Sequence, residues 1–299
     1  MATPVNNILM ATDFSDTATL AAHRAAQLAT DHHATLHLLH VTEHGLMKQL
    51  TQWLGQQAPE LERIKQDTRF KMDALAERLR SAHPKADLDV RPQHLEGSVT
   101  RTVLEAAKQC QASLLVVGQH GQGHVRDMLM GTTTERLLNQ SPLPVLVVRT
   151  PSTQRYQHIL VALDLSPHSE HALILVRTLF PAAHLVLMHG FCVPFEEKLR
   201  FAGVDEATVA HYRDTTRDNA LHHIRSVVER HGLLPHQYTT VLREGDAARL
   251  LTDTAAHHHC DLIAISKPQR SAPDELLLGS VSRHTLAEAT MDVLITAHA

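Results

Sequence analysis

The segment VVGQHGQGHVRDMLMGTTTERLL, from Val116 to Leu138, holds the residue pattern best suited to chemistry in this chain. Gly118 is followed by Gly121 and then by Gly131-Thr132, a G-x2-G-x9-G-T spacing. Glycines let a backbone take positive φ and bring N–H groups close to a ligand, and a helix N-terminus adds unpaired donors and partial positive charge. Together these are devices for holding phosphate. The standard phosphate loops do not match. The chain has no Gly-Lys pair, and Gly121-Gln122-Gly123 is followed by Arg126 where a dinucleotide fingerprint needs glycine. Asp13, which closes the apolar run NILMAT, offers a carboxylate that can accept hydrogen bonds from ribose hydroxyls or adenine, or hold a cation beside phosphates. An aspartate at such a junction also caps turns, and glycines also make plain surface loops.

The elements that must position these residues are written twice. NILMATDFS at Asn7 to Ser15 is answered by HILVALDLS at His158 to Ser166, an offset of 151. SLLVVG at Ser113 is answered by DLIAIS at Asp261, and MGTTTERLL at Met130 by LGSVSRHTL at Leu278, an offset of 148. The repeat predicts two domains, 1–150 and 151–299, with a polar break at Pro151 to Gln154. In the first, short apolar runs predict strands over Asn7 to Thr12, Thr35 to Val41, Asp87 to Gln93, Ser113 to Gly118 and Leu143 to Val148. Helices are predicted over Asp16 to Thr30 behind an N-cap Ser15, Leu61 to Ala82, Val99 to Gln109 behind Ser98, and Thr133 to Gln140. The second domain repeats the pattern with strands near Ile159, His184, Tyr238, Leu262 and Val293, and a longer loop over Phe191 to Gly203. The fold class is therefore α/β, with two tandem doubly wound five-stranded, mostly parallel sheets. A strand order of 3-2-1-4-5 would set Asp13 and Gly118 side by side at one crevice.

Composition narrows the function. With 299 residues, 43% hydrophobic and 20% charged, the chain reads as globular, and no apolar run approaches the roughly 18 residues of a membrane span. A net charge of −4 and 3% aromatic residues give no basic face or stacking platform for nucleic acid. The opening residues lack the pattern of a secretory signal and the three cysteines cannot all pair, so a cytoplasmic location is expected.

With ATDFSDTA, LLHV and the G-x2-G-x9-G-T loop together, the sequence resembles the universal stress protein family in its tandem two-domain form. The resemblance covers essentially the whole chain. It implies a Rossmann-like sheet of the adenine nucleotide alpha hydrolase type, ATP as ligand with an accompanying Mg left open, and contacts from Asp13, Val41, Gly118, Gly121, Gly131, Thr132 and Thr133. The implied role is regulatory, a stress-response protein with protein partners still to be identified. The alternatives are a non-nucleotide scaffold and a slow ATPase. Single-domain relatives that dimerise imply that one chain forms an intramolecular pseudo-dimer, its terminal strands Leu143 to Val148 and Val293 to Thr296 pairing, with a further homodimer left open.

The second half departs from the pattern. Asp164, Gly279 and Ser280 keep the places of Asp13, Gly131 and Thr132, but Ser266, Gln269 and Gly190 replace Gly118, Gly121 and Val41. One nucleotide per chain, in the first half, is the expectation. Lys267 and Arg270 are expected to be solvated loop residues. The chain holds 25 histidines, including the run His257-His258-His259 before Cys260. Consecutive helical positions point about 100° apart and suit a metal poorly, so no metal site is assigned. No nucleophile and base pair stands near the glycine loop, and His120 and Asp13 are the only groups placed to handle a proton.

Overall fold

The computed structural model describes residues 4–45, 53, 59–84, 87–121, 130–151, 154–192, 200–267 and 278–296. The chain divides into two compact units, Met1–Arg155 and Tyr156–Ala299. In the first unit the strands are β1 (Asn7–Ala11), β2 (Thr35–Glu43), β3 (Val90–Gly97), β4 (Leu114–Gly118) and β5 (Val145–Val148). Its helices are α1 (Asp16–His32), α2 (Pro59–Ala82), α3 (Val99–Gln109) and α4 (Thr132–Gln140). The strands lie in the order β3-β2-β1-β4-β5 and every neighbouring pair is parallel. The winding therefore reverses between β1 and β4, and the carboxyl ends of those two strands open side by side.

Residue types account for this layering. The inner strands read as unbroken apolar runs, and Leu114, Leu115, Val116 and Ile8 are fully buried because helices cover both faces. Helix α1 presents a face of Ala21, Ala22, Ala25, Ala26 and Ala29 to the sheet, small side chains that let its axis approach closely. Ser15 starts the helix as predicted, its hydroxyl accepting from the Ala18 N–H at 3.2 Å. Strand β3 begins and ends later than the sequence suggests. It is the edge strand, half of its residues are exposed, and Pro92 is tolerated because an edge leaves one row of N–H groups unpaired.

The second unit has strands β6 (His158–Ala162), β7 (His184–Phe191), β8 (Tyr238–Glu244), β9 (Leu262–Ser266) and β10 (Asp292–Thr296). Its helices are α5 (Pro167–Leu179), α6 (Glu206–Arg230), α7 (Ala247–His257) and α8 (Ser280–Glu288). The order is β10-β9-β6-β7-β8, again all parallel, which is the first unit's topology repeated. Among the described residues no helix is long and apolar enough to cross a membrane.

Candidate functional site

The first site is built on the turn that leaves β1. The Thr12 N–H continues the sheet by donating to the Leu39 carbonyl at 2.8 Å, and the chain then bends sharply at Phe14, whose φ is +64°. Left-handed backbone is costly for a non-glycine residue, so the turn must be held. Two side chains within the turn hold it: Thr12 Oγ1 accepts from the Phe14 N–H and Asp13 Oδ1 from the Ser15 N–H, both at 3.0 Å.

Opposite this turn the chain leaves β4 at Gly118. The neck of the glycine segment is closed by the Gly131 N–H donating to the Gln119 carbonyl at 3.0 Å. Thr134 Oγ1 donates to the Gly118 carbonyl at 2.9 Å, and Thr17 on α1 donates its hydroxyl to the His120 carbonyl. Gly131 is the N-cap of α4 with φ −67° and, having no side chain, leaves the first N–H groups of that helix uncapped. Ser15, by contrast, caps α1 with its own hydroxyl.

The structure brings all seven expected residues together. Asp13, Val41, Gly118, Gly121, Gly131, Thr132 and Thr133 line one cavity of about 350 Å³. Leu39, Val99, Val103, Val117 and Leu137 make its apolar wall, and His120 stands at the glycine neck. An apolar slot with a carboxylate on one side and unpaired backbone donors on the other suits a ligand with a flat apolar body, hydroxyls and a charged anionic tail.

The glycines serve a different purpose from the one expected. Gly118, Gly121 and Gly131 do not have positive φ; among the described glycines only Gly203, Gly232 and Gly245 do. Gly118 is required because a Cβ there would stand 2.8 Å from the Thr17 carbonyl carbon and 2.9 Å from the Ala18 nitrogen, inside the first turn of α1. At Gly121 a Cβ would stand 2.6 Å from Asp13 Oδ2, so the glycine gives the carboxylate its space. Close approach, not chain reversal, is what these positions demand. Residues 122–129 of the segment, with Gly123 and Arg126, lie outside the described residues.

The second unit repeats the turn and loses part of the neck. Leu165 has φ +60° and Asp164 Oδ1 accepts from the Ser166 N–H at 3.0 Å. The Ser166 hydroxyl also donates to Asp164, and these hydrogen bonds hold its carboxyl below the usual aspartate range against the opposing effect of burial. A cavity of about 380 Å³ is lined by Asp164, Gly190, Ser266, Gly279 and Ser280, with Gly279 again an uncapped N-cap. Gly190 does not leave the space that its lack of a side chain suggests, because α7 moves in: a Cβ there would be 3.3 Å from the Ala247 Cα. Lys267 is a correction to the sequence reading. It is buried at 5% exposure, and burial pushes its ammonium down to about 8. Gln269 and Arg270 lie outside the described residues.

Elsewhere, His257 and His258 stack edge to face at 5.1 Å, and Cys260 is buried with its thiol pushed up to about 12. Among the described residues no three His, Cys, Asp or Glu side chains gather in a way that could hold a metal ion. The hydroxyl clamps Thr17 and Thr134 carried no recognisable sequence signal. Position 40 did, since LLH and LMH recur at 38–40 and 187–189.

Comparison with known proteins shows the family and the fold. The model of the universal stress protein family matches residues 4–149 and again 155–297, and the chain belongs to that family. Universal stress protein YxiE of Bacillus subtilis is 25% identical over 146 residues, which is 48% of this chain and 99% of that protein. A universal stress protein of Thermus aquaticus is 30% identical over 145 residues, 48% of this chain and 97% of that one. Over the full length, the fold is shared with a universal stress protein from Archaeoglobus fulgidus, with a TM-score of 0.70 at 13% identity, covering 99% of this chain and 100% of that one.

Proposed function

We propose that the chain is an ATP-binding regulatory protein of the stress response, with the nucleotide held in the first unit. The observation that carries this reading is the convergence of Asp13, Gly118, Gly121 and the uncapped start of α4 on one cavity whose remaining walls are apolar. The adenine ring would lie against the apolar wall near Val41, Asp13 would accept from the ribose, and the N–H groups of Thr132 and Thr133 would meet the phosphates. No step of hydrolysis is assigned. Isothermal titration of the full chain with ATP and with GTP tests the reading: ATP should bind in preference, and no heat with either would overturn it.

The second unit keeps the carboxylate and the helix start but not the glycine neck, so we propose one nucleotide per chain. Ser266 puts a Cβ where Gly118 lets α1 close on the strand, and Asp164 is engaged by its own Ser166. We further propose that the two units form the intramolecular pseudo-dimer implied by the tandem repeat, acting in the cytoplasm through protein partners. Proteolytic cutting at the polar break between the units tests the association. Halves that separate as stable monomers would contradict it.

A further inference from the structure

His40 is one of many histidines that the nucleotide reading does not use. It sits on β2 beside Val41, half-buried, and its Nδ1 lies 2.8 Å from the Thr12 carbonyl oxygen. A carbonyl only accepts, so Nδ1 carries the proton and donates. The ring lies tilted against Phe14, with centroids 4.7 Å apart, and 5.6 Å from the ring of His94 on β3. Asp13 and Lys71 of α2 are the charged groups near enough to act on it. Burial outweighs the Thr12 carbonyl and Asp13, leaving the imidazole harder to protonate than usual and therefore neutral at pH 7.

The second unit shows which parts of this arrangement are essential to the turn. There Leu163 and Leu165 replace Thr12 and Phe14, so the hydroxyl bond and the ring stacking are both gone. Yet Leu165 keeps a φ of +60°, and His189 places its Nδ1 2.7 Å from the Leu163 carbonyl. What the two turns share is the backbone bond from the residue before the aspartate to the neighbouring strand, the aspartate's bond to the serine N–H, and the histidine's bond to the carbonyl before the aspartate. The histidine is thus the side-chain contact that, beside the backbone bonds from Thr12 N–H to the Leu39 carbonyl and from Leu163 N–H to the Met188 carbonyl, anchors a strained turn to the neighbouring strand in both units.

We propose that His40 is the positioning residue of the ligand site: by donating from Nδ1 to the Thr12 carbonyl it sets the β1–α1 turn so that Asp13 faces the glycine neck. It acts through Asp13, since Thr12 and Asp13 line the cavity wall in front of it. The inference rests on the nucleotide reading above for its affinity readout and on geometry alone for the rest.

The test uses the full chain and the variants His40→Asn, His40→Leu and His189→Leu, with ATP titration and imidazole nitrogen NMR. Asparagine can place an amide N–H near the position of Nδ1, so His40→Asn should bind ATP within about threefold of wild type, while His40→Leu should weaken it about tenfold for one lost hydrogen bond. His189→Leu should leave ATP affinity unchanged. In an Asp13→Ala background the His40→Leu effect should vanish, because two residues acting as one unit are not additive. The proposal is overturned if His40→Leu binds like wild type, if His40→Asn is as weak as His40→Leu, if the effect persists at full size without Asp13, or if NMR places the neutral ring's proton on Nε2. If wild type binds no ATP, the nucleotide reading fails and the carboxyl-carbon titration of Asp13 decides this inference. A curve altered in His40→Leu and restored in His40→Asn, which lacks the ring but keeps the donor, supports it; equal alteration in both variants, or a His40→Leu curve identical to wild type, overturns it.

Discussion

A methyl group on residue 118 would press into the backbone of Thr17 and Ala18, and peptide groups in the first turn of a helix cannot step aside as a side chain can. Gly118→Ala should therefore cost about 1–3 kcal/mol of stability through overpacking, read as a lower melting temperature without ligand present. A melting curve unchanged from wild type would contradict the close-approach account of this glycine. Gly131 invites the opposite experiment. Its Cβ would meet the Gln119 oxygen and His120 Cα at 3.4 Å, a tight but yielding fit, and aspartate is among the best N-caps. Gly131→Asp should keep stability near wild type while its carboxylate occupies the N–H groups meant for phosphate, so ATP binding should be lost without unfolding. Asp13→Ala should weaken ATP by roughly ten- to a hundredfold, about 1–3 kcal/mol for a hydrogen bond to a charged group. Unaltered affinity in this variant would remove Asp13 from the site.

At the scale of elements, the first unit gathers four histidines whose folded forms resist protonation. His23, His37, His40 and His94 are all lowered, in each case chiefly by burial, with His40 further opposing His94. A lowered folded pKa means that the unfolded chain binds protons first as pH falls. The stability of this unit should be complete above about 6.5, the ordinary histidine value, fall below it, and level off once the folded histidines titrate too. Hydrogen exchange of the β1 and β2 amides, corrected for intrinsic rate, reads this directly; protection that grows from pH 7 to pH 5.5 would contradict it. The same elements show what a sequence can disclose. Strands covered on both faces are legible as apolar runs, and Ser15 is legible as a cap, whereas Ser98, read the same way, holds the N-cap position without a side-chain cap bond. The later half of β3 was not legible, because an edge strand with outward polar residues loses the burial signal. The glycine spacing picked out residues that line one cavity, but Gly118, Gly121 and Gly131 do not take positive φ, and only coordinates distinguish a need for positive φ from a need for empty space. Lys267 was misread for the same cause: nothing local marks a lysine that other parts of its unit bury.

For the molecule as a whole, two copies of one fold carry cavities of similar size with unequal chemistry. The first joins Asp13 to a glycine neck; the second keeps Asp164 and Gly279 but puts Ser266 at the strand end and brings α7 against Gly190. With a side chain at the strand end and α7 closed on Gly190, the second cavity should hold ATP more weakly than the first and stay empty at concentrations that fill the first. Calorimetric titration of the full chain with ATP, run beside Gly131→Asp and Gly279→Asp, tests this most directly. The account predicts one ATP per chain in wild type, none in Gly131→Asp and one in Gly279→Asp. Two equivalent sites in wild type, or binding abolished by Gly279→Asp and retained by Gly131→Asp, would contradict it.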